Sequence, residues 1–367
     1  MADRDDYALV SSDVSEVPAP EIDYRPPKPS KPHRIALVGA GGISFAHLDA
    51  YKTHGIDVAA ILSRDIEKAK ARAAEFFPEA DVPTDYAALL ARDDIDVIDL
   101  TPHPEQRVAL IEAALKAGKH VLSQKPFVTD LETGRRLCDL ADAQGVKLAV
   151  NQNGRWAPHM AWMREAVRLG LIGEVIGLHC SVHWDHTWIR GTVFEEVPDL
   201  VLYDFGIHWF DFVTSIMGRL ADGVMAQAVQ IPSAEVAPPM GASALMDFGQ
   251  CQASLIFDGA TRYGPLDRTY VAGTKGSLIS TGPDLGNQRV ELFTEHGVAR
   301  PVLEGNWFND GFAGAMGALL VAIEAGEEPE NGARANLTSL ANCFAALESA
   351  RTGLPVGRGN ALFAGGR

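Results

Sequence analysis

The chain has 367 residues, 47% of them apolar, and its 48 acidic against 32 basic side chains leave a formal charge of −16. That length favours two domains with sizeable cores, and the charge disfavours nucleic acid and anionic membranes, whose phosphates it repels. No apolar run approaches the ~20 residues of a bilayer span, and MADRDDYALVSSD lacks the basic and apolar regions of a secretory signal.

Residues 1–33 form an acidic arm with Pro18, Pro20, Pro26, Pro27, Pro29 and Pro32 and little apolar periodicity. Such a segment is either a floppy tail or an extended arm that wraps a neighbouring subunit through Tyr24 and its prolines. From Arg34 the pattern changes. RIALVGAG is a strand running into a glycine turn, ISFAHLDAYKTH a helix, DVAAILS a second strand and DIEKAKARAAEFF a second helix. DVIDLTP, KHVLSQKP and KLAVNQN follow as short strands separated by helical EQRVALIEAALKAG and DLETGRRLCDLADAQG. Strands alternating with helices imply a doubly wound parallel sheet over residues 34–152. Residues 153–367 open with the helix PHMAWMREAVRLG and the strand EVIGLHCSVHW. They continue through ADGVMAQAVQI, SALMDFG, QASLIFDG, RTYVAGTKGSLIS and RVELFTE, a mainly antiparallel sheet, and close with two long helices that pack back on the first domain. Cys138, Cys180, Cys251 and Cys343 are scattered without CxxC pairing, as expected of small core residues in a reducing cytoplasm.

In GAGGIS, Gly39 permits the tight turn after the first strand. Gly41, with Gly42 and Ile43 beside it, lets the backbone approach a pyrophosphate at the following helix N-terminus. This strand–turn–helix setting predicts a dinucleotide site. An NAD site usually carries an acid at the end of the second strand, for the ribose 2′-hydroxyl. Ser63 stands there, followed by Arg64, and a hydroxyl with a guanidinium suits a 2′-phosphate. NADP is therefore favoured, with Asp65 keeping NAD open. Lys125 closes another strand at its carboxyl end, where open α/β sheets place ligands, and Pro126 biases it away from helix.

In VLYDFGIHWFD, Asp204 and His208 stand at i and i+4. A helix over 204–217 would align them with Asp211 and Ser215 in one polar stripe. The stripe suits a solvated surface, a metal, or a carboxylate tuning a histidine base. His179, His183 and His186 make a zinc cage conceivable, but no ligand spacing supports one, and no metal is assigned.

GAGGIS, TPHPEQ, SQKPF and YDFGIHWFD, in this order, resemble the glucose–fructose oxidoreductase / inositol dehydrogenase (Gfo/Idh/MocA) family over roughly residues 34–357, as do NQNGRWAPHM, GTKGS and WFNDGF…NLTSL. The resemblance implies a Rossmann domain followed by an α/β domain whose large sheet commonly mediates oligomerisation, here a homodimer or homotetramer. It implies catalytic roles for Lys125, Asp204 and His208 facing a nicotinamide, and cofactor contacts from Thr101, Pro102, Gln106, Gln124 and Lys125. Gln124 replaces the acid of the family's E-K-P motif and Gln106 replaces a histidine, while the arm exceeds the family's usual start. The expected reaction is hydride transfer between NAD(P) and a secondary alcohol or ketone of a sugar, polyol or sugar derivative. His208 would act as base, Lys125 as donor to the substrate oxygen, and Asp204 would stabilise the imidazolium or bind a hydroxyl. Asn153, Arg155, His183 and Tyr203 are expected to bind substrate with Asp204 and His208. Two alternatives remain: an NAD-dependent glycosidase using transient oxidation and elimination, and a cofactor-binding regulator without chemistry.

Overall fold

The computed structural model describes residues 14–357 and Asn360. Five short apolar strands, β1 (Ile35–Val38), β2 (Val58–Leu62), β3 (Val97–Leu100), β4 (His120–Gln124) and β5 (Leu148–Asn151), form a parallel sheet in the order β2-β1-β3-β4-β5. Between them run α1 (Ser44–His54), α2 (Ile66–Phe76), α3 (Tyr86–Leu90), α4 (Pro104–Lys116) and α5 (Leu131–Gln144). Asp65, Asp85 and Asp130 cap α2, α3 and α5 by accepting first-turn amides.

After α6 (Pro158–Arg168) and β6 (Val175–His183) comes α7 (Ile207–Met217). It is followed by β7 (Gly223–Val229), β8 (Gly241–Asp247), β9 (Gln252–Asp258), β10 (Leu266–Gly273), β11 (Gly276–Gly282), β12 (Arg289–Thr294) and β13 (Gly297–Ala299). The chain closes with α8 (Asn309–Ala325), α9 (Ala333–Thr352) and β14 (Val356–Gly357). The second sheet has nine strands in the order β13-β12-β11-β10-β6-β9-β8-β7-β14. Among the described residues only its strands β6 and β9 pair in parallel, so it is the mainly antiparallel sheet expected. Cys180 and Val182 of β6 face its buried side, while His179, Ser181 and His183 alternate onto the more open side.

One face of the parallel sheet is covered jointly by α1 and α8. Phe312, Met316, Leu319 and Leu320 pack with Leu48, Tyr51, Leu37 and Leu122 in one core cluster. Each such fully buried side chain contributes about 1.5–3 kcal/mol of transfer free energy. The arm, from Val14 onward, lies in extended form against the body of its own chain. Val17 pairs with Val298 at the edge of β13, the Tyr24 hydroxyl accepts from the Glu304 amide at 2.8 Å, and Arg25 pairs with Glu304. Ser30, Lys31 and His33 converge on the Glu324 carboxylate of α8. Residues 1–13 fall outside the described part.

The helix expected over 204–217 begins differently. Val201–Phe205 is a π-helical turn in which the Gly206 amide reaches back to the Val201 carbonyl at 2.8 Å. A Cβ on Gly206 would lie 2.6 Å from the Leu202 carbonyl oxygen, so the widened turn requires glycine there.

Asp267 of β10 is 2% exposed, and its Oδ2 has no partner. Burial, and then Asp284, push its pKa up to about 7. Below about pH 4 both folded and unfolded states hold this proton. As pH rises to about 7 only the unfolded state releases it, so stability falls by about 4 kcal/mol and then levels off. Asp267→Asn should therefore raise the thermal midpoint strongly at pH 8 and little at pH 4.5, as read by scanning calorimetry.

Candidate active site

Lys125 follows β4 directly and is joined to Pro126 by a cis peptide bond. Its side chain crosses to the second domain, where Nζ donates to the Asp204 carbonyl at 2.8 Å and lies 3.3 Å from Asp204 Oδ2. Both side chains are largely shielded, at 16% and 18% exposure. An ammonium carries three donors, so one N–H remains for a ligand. Arg107 of α4 steadies this corner. Its buried guanidinium donates to the Pro102 carbonyl at 2.6 Å and to the Pro126 carbonyl, tying the loops after β3 and β4 together. Burial lowers its pKa to about 9.

One turn beyond Asp204, His208 is held among aromatic rings, 5.5 Å from Trp307 and 6.3 Å from Trp209 between centroids. Its Nδ1 is buried without a hydrogen-bond partner, against Gly154. Burial first, and the Lys125 charge second, hold its pKa well below the ordinary 6.5. At neutral pH the ring is consequently an unprotonated base beside an ammonium.

At the other end of the cleft, Gly39 has φ +105°, a left-handed value that favours glycine. The Thr101 hydroxyl closes over it by donating to the Gly39 carbonyl at 2.8 Å, with Pro102 adjacent. Gly41 and Gly42 are exposed, with open space where side chains would be, and Ile43 leads into α1. Asp65 is engaged in capping α2, and Ser63 Oγ accepts from the Asp65 amide at 3.3 Å. Arg64 is exposed, with no partner among the described residues. An uncovered amide turn at a helix N-terminus, an unpaired guanidinium near the end of β2 and an orphaned ring nitrogen at the opposite end fit a dinucleotide.

Residues 33–152 match the profile described as an oxidoreductase family with an NAD-binding Rossmann fold, and residues 160–279 match the GFO/IDH/MocA C-terminal domain. The chain belongs to the Gfo/Idh/MocA oxidoreductase family. It is 27% identical to a D-apiose dehydrogenase of Paraburkholderia graminis over 88% of either chain. It is 26% identical to an inositol 2-dehydrogenase of Rhizobium meliloti over 86% of this chain and 96% of that one. Among solved structures, an Agrobacterium radiobacter oxidoreductase in complex with NAD+, L-tartaric acid and magnesium superposes with a TM-score of 0.80 at 22% identity. That match covers 90% of this chain and 99% of the other.

Several side chains of this Gfo/Idh/MocA protein stand elsewhere than their sequence positions suggest. Arg155 is not free to bind substrate. It forms a buried bidentate pair with Asp211 at 2.7 and 2.9 Å and donates to the Glu330 carbonyl nearer the surface. Ser339 completes the Asp211 carboxylate, and Ser215 accepts from Arg164. The lower half of the 204–215 stripe is thus structural. Tyr203 donates its hydroxyl to the Val128 carbonyl at 2.9 Å, and His183 pairs with Asp258 on the open side of the sheet. Gln124 is 5% exposed, with its amide engaged by His47 and by the Lys125 backbone N–H. Asn153 is buried, with its carbonyl against Gly311, and Gln106 is exposed on the first turn of α4. Sequence reading passed over Arg107 as an anchor, and took Trp307 as a candidate sugar contact where the structure packs it against His208. A lone arginine on an amphipathic helix carries no spacing signal.

Truncating one partner of a buried ion pair leaves the other charge uncompensated. Arg155→Ala should destabilise the protein by about 3–5 kcal/mol in denaturant unfolding, while cofactor affinity, measured by fluorescence titration, stays unchanged.

Proposed function

We propose that the protein is an NAD(P)-dependent dehydrogenase or reductase acting on a CH–OH or C=O carbon of a sugar, polyol or sugar derivative. The observation that carries this reading is the meeting of Lys125 with Asp204 across the cleft, with the neutral His208 one turn on. Relatives named for D-apiose and inositol, both polyhydroxylated, support the substrate class. Gly39, Gly41, Gly42, Ile43, Thr101 and Pro102 would hold the dinucleotide, and a bound nicotinamide supplies the two-electron donor or acceptor. In the oxidising direction His208 takes the hydroxyl proton. The free N–H of Lys125 donates to the same oxygen and stabilises its growing negative charge in a site shielded from water. Asp204 holds the ammonium in place and offsets the charge that His208 acquires. In reduction the proton moves the other way.

Two further features belong to this reading. Arg64, unpaired beside Ser63, favours the 2′-phosphate of NADP over NAD. The exposed Met225, Leu245 and Ile256 lie on neighbouring strands of the second sheet and support a homodimer or homotetramer. The four described cysteines, all free and buried, suit a cytoplasmic setting.

Absorbance of reduced cofactor over a panel of sugars and polyols tests the reaction. Lys125→Ala and His208→Ala should each lower turnover by about 10²–10⁴-fold and change cofactor affinity only a few-fold. Since His208 is already deprotonated well below pH 6.5, kcat/KM for oxidation should hold level from pH 8 down past 6.5. A fall centred near 6.5 would count against His208 as the base. Arg64→Ala should weaken NADP by roughly 10-fold or more, as for loss of a charge-assisted hydrogen bond, and leave NAD almost unaffected. Equal losses for both would reject the 2′-phosphate assignment.

A further inference from the structure

Asp99 sits in the middle of β3, fully buried at the centre of the parallel sheet, on the side covered by α1 and α8. An acid there is costly unless fully engaged. Its Oδ2 is engaged twice, by the Tyr51 hydroxyl at 2.7 Å and by His47 Nδ1 at 2.7 Å, while Oδ1 is buried without a partner, so the two bonds at Oδ2 carry the whole of its compensation. Tyr51 stays a donor because burial and the neighbouring carboxylate raise its pKa far above 10. With Nδ1–H directed at Asp99, the other ring nitrogen of His47 presents a lone pair. Two amide groups, Gln124 Nε2 and Asn151 Nδ2, each approach that nitrogen at 3.2 Å. The Gln124 amide is thereby oriented with Oε1 outward, where it accepts from the backbone N–H of Lys125 at 2.6 Å. On the far side of the same residue, Arg107 holds the Pro126 carbonyl.

We propose that Asp99 and His47 are positioning residues for Lys125: the buried carboxylate sets the direction of a hydrogen-bond chain through His47 and Gln124 that clamps the lysine's backbone amide. The inference rests on the hydride-transfer reading only for its catalytic readout. An amide rotated by 180° would set Nε2 against the Lys125 N–H, donor to donor, and release that clamp. His47 prevents the rotation because its Nε2 can only accept, and it can only accept because Nδ1 donates to Asp99. No other charge enters the chain before the ammonium itself. The chain also explains a neutral residue at 124. A carboxylate there, with Asp99 in place, would put an acceptor at both ends of one imidazole and draw a second proton onto it.

The chain can be run in reverse by moving the charge. In the double variant Asp99→Asn/Gln124→Glu, the new amide at 99 donates to His47 Nδ1. The new carboxylate at 124 accepts from Nε2–H and still accepts from the Lys125 amide. The full-length protein, its two single variants and the double variant are compared with ¹⁵N-labelled histidine, with His47→Gln assigning the signal. Steady-state kinetics follow on whichever panel substrate is turned over. The wild type should show His47 protonated at Nδ1 alone, Gln124→Glu should show both nitrogens protonated, and the double variant Nε2 alone. Each single variant should lose about tenfold in kcat with KM within about twofold, and the double variant should recover to within about threefold of wild type. An Nε2-protonated His47 in the wild type, or a double variant slower than both singles, overturns the proposal. If Asp99→Asn does not fold, Gln124→Glu decides alone: a doubly protonated His47 with reduced kcat supports the chain, and an unchanged ring refutes it. A panel without any turnover would fell the hydride-transfer reading, and the ring signals would still decide whether the chain exists.

Discussion

The ammonium of Lys125 joins the two halves of the molecule at the point where chemistry is proposed. It starts at the end of a strand in the first sheet and ends on the Asp204 carbonyl and carboxylate, 79 residues away. Shielding at both ends lowers the effective dielectric, which strengthens the attraction and makes the position of the charge matter more. The surroundings serve that placement. Arg107 pins the loops on either side of the strand end, and the π-helical turn brings Asp204 to the lysine. The tryptophans around His208 keep its ring dry, so burial and the nearby cation both favour the unprotonated base.

The first sheet carries this corner on an interior that is unusually polar for a parallel α/β domain, whose strands are normally apolar on both faces. Asp99, His47, Tyr51, Gln124 and Asn151 meet beneath the strand ends. Such a group rigidifies its neighbourhood when each donor finds an acceptor, and is destabilising when one does not. Here the directions agree along the path from the phenol of Tyr51 to the backbone of Lys125, while Asp99 Oδ1 and Asn151 Oδ1 beside that path are buried without partners.

Much of this architecture was legible in the sequence, because alternating apolar strands and periodic helices obey short-range rules. The glycine turn, the strand-end lysine and the i,i+4 acid and histidine could all be picked out in the same way, since each occupies a fixed offset from a strand or helix end. What escaped was long-range pairing. Arg155 looked like a substrate ligand until Asp211 appeared opposite it, and nothing in either segment announces the other. Asp99 interrupts the apolar strand DVIDLTP, a visible anomaly, but its meaning depends on Tyr51 and His47 arriving on one face of α1. The π-helical turn was hidden for a different reason: one extra residue per turn leaves the apolar pattern almost intact, and only the space required at Gly206 discloses it.

Helix α8 belongs by sequence to the second half of the chain and by packing to the first. Asn309, in its opening turn, donates to Asp49 of α1 at 2.8 Å, and Trp307 just before it covers His208. The two halves are therefore strapped together from behind by a segment that touches both the nucleotide-side helix and the catalytic ring. A jaw-like opening would have to peel α8 from α1 and strip the tryptophan from the histidine. The short 3-10 turns at Thr187–Ile189 and Val193–Glu196 make a second, lighter bridge, where Phe194 meets His103 of the first half at 6.0 Å between ring centroids. Any ligand entry that leaves the α8 strap in place also leaves the lysine and the imidazole aligned.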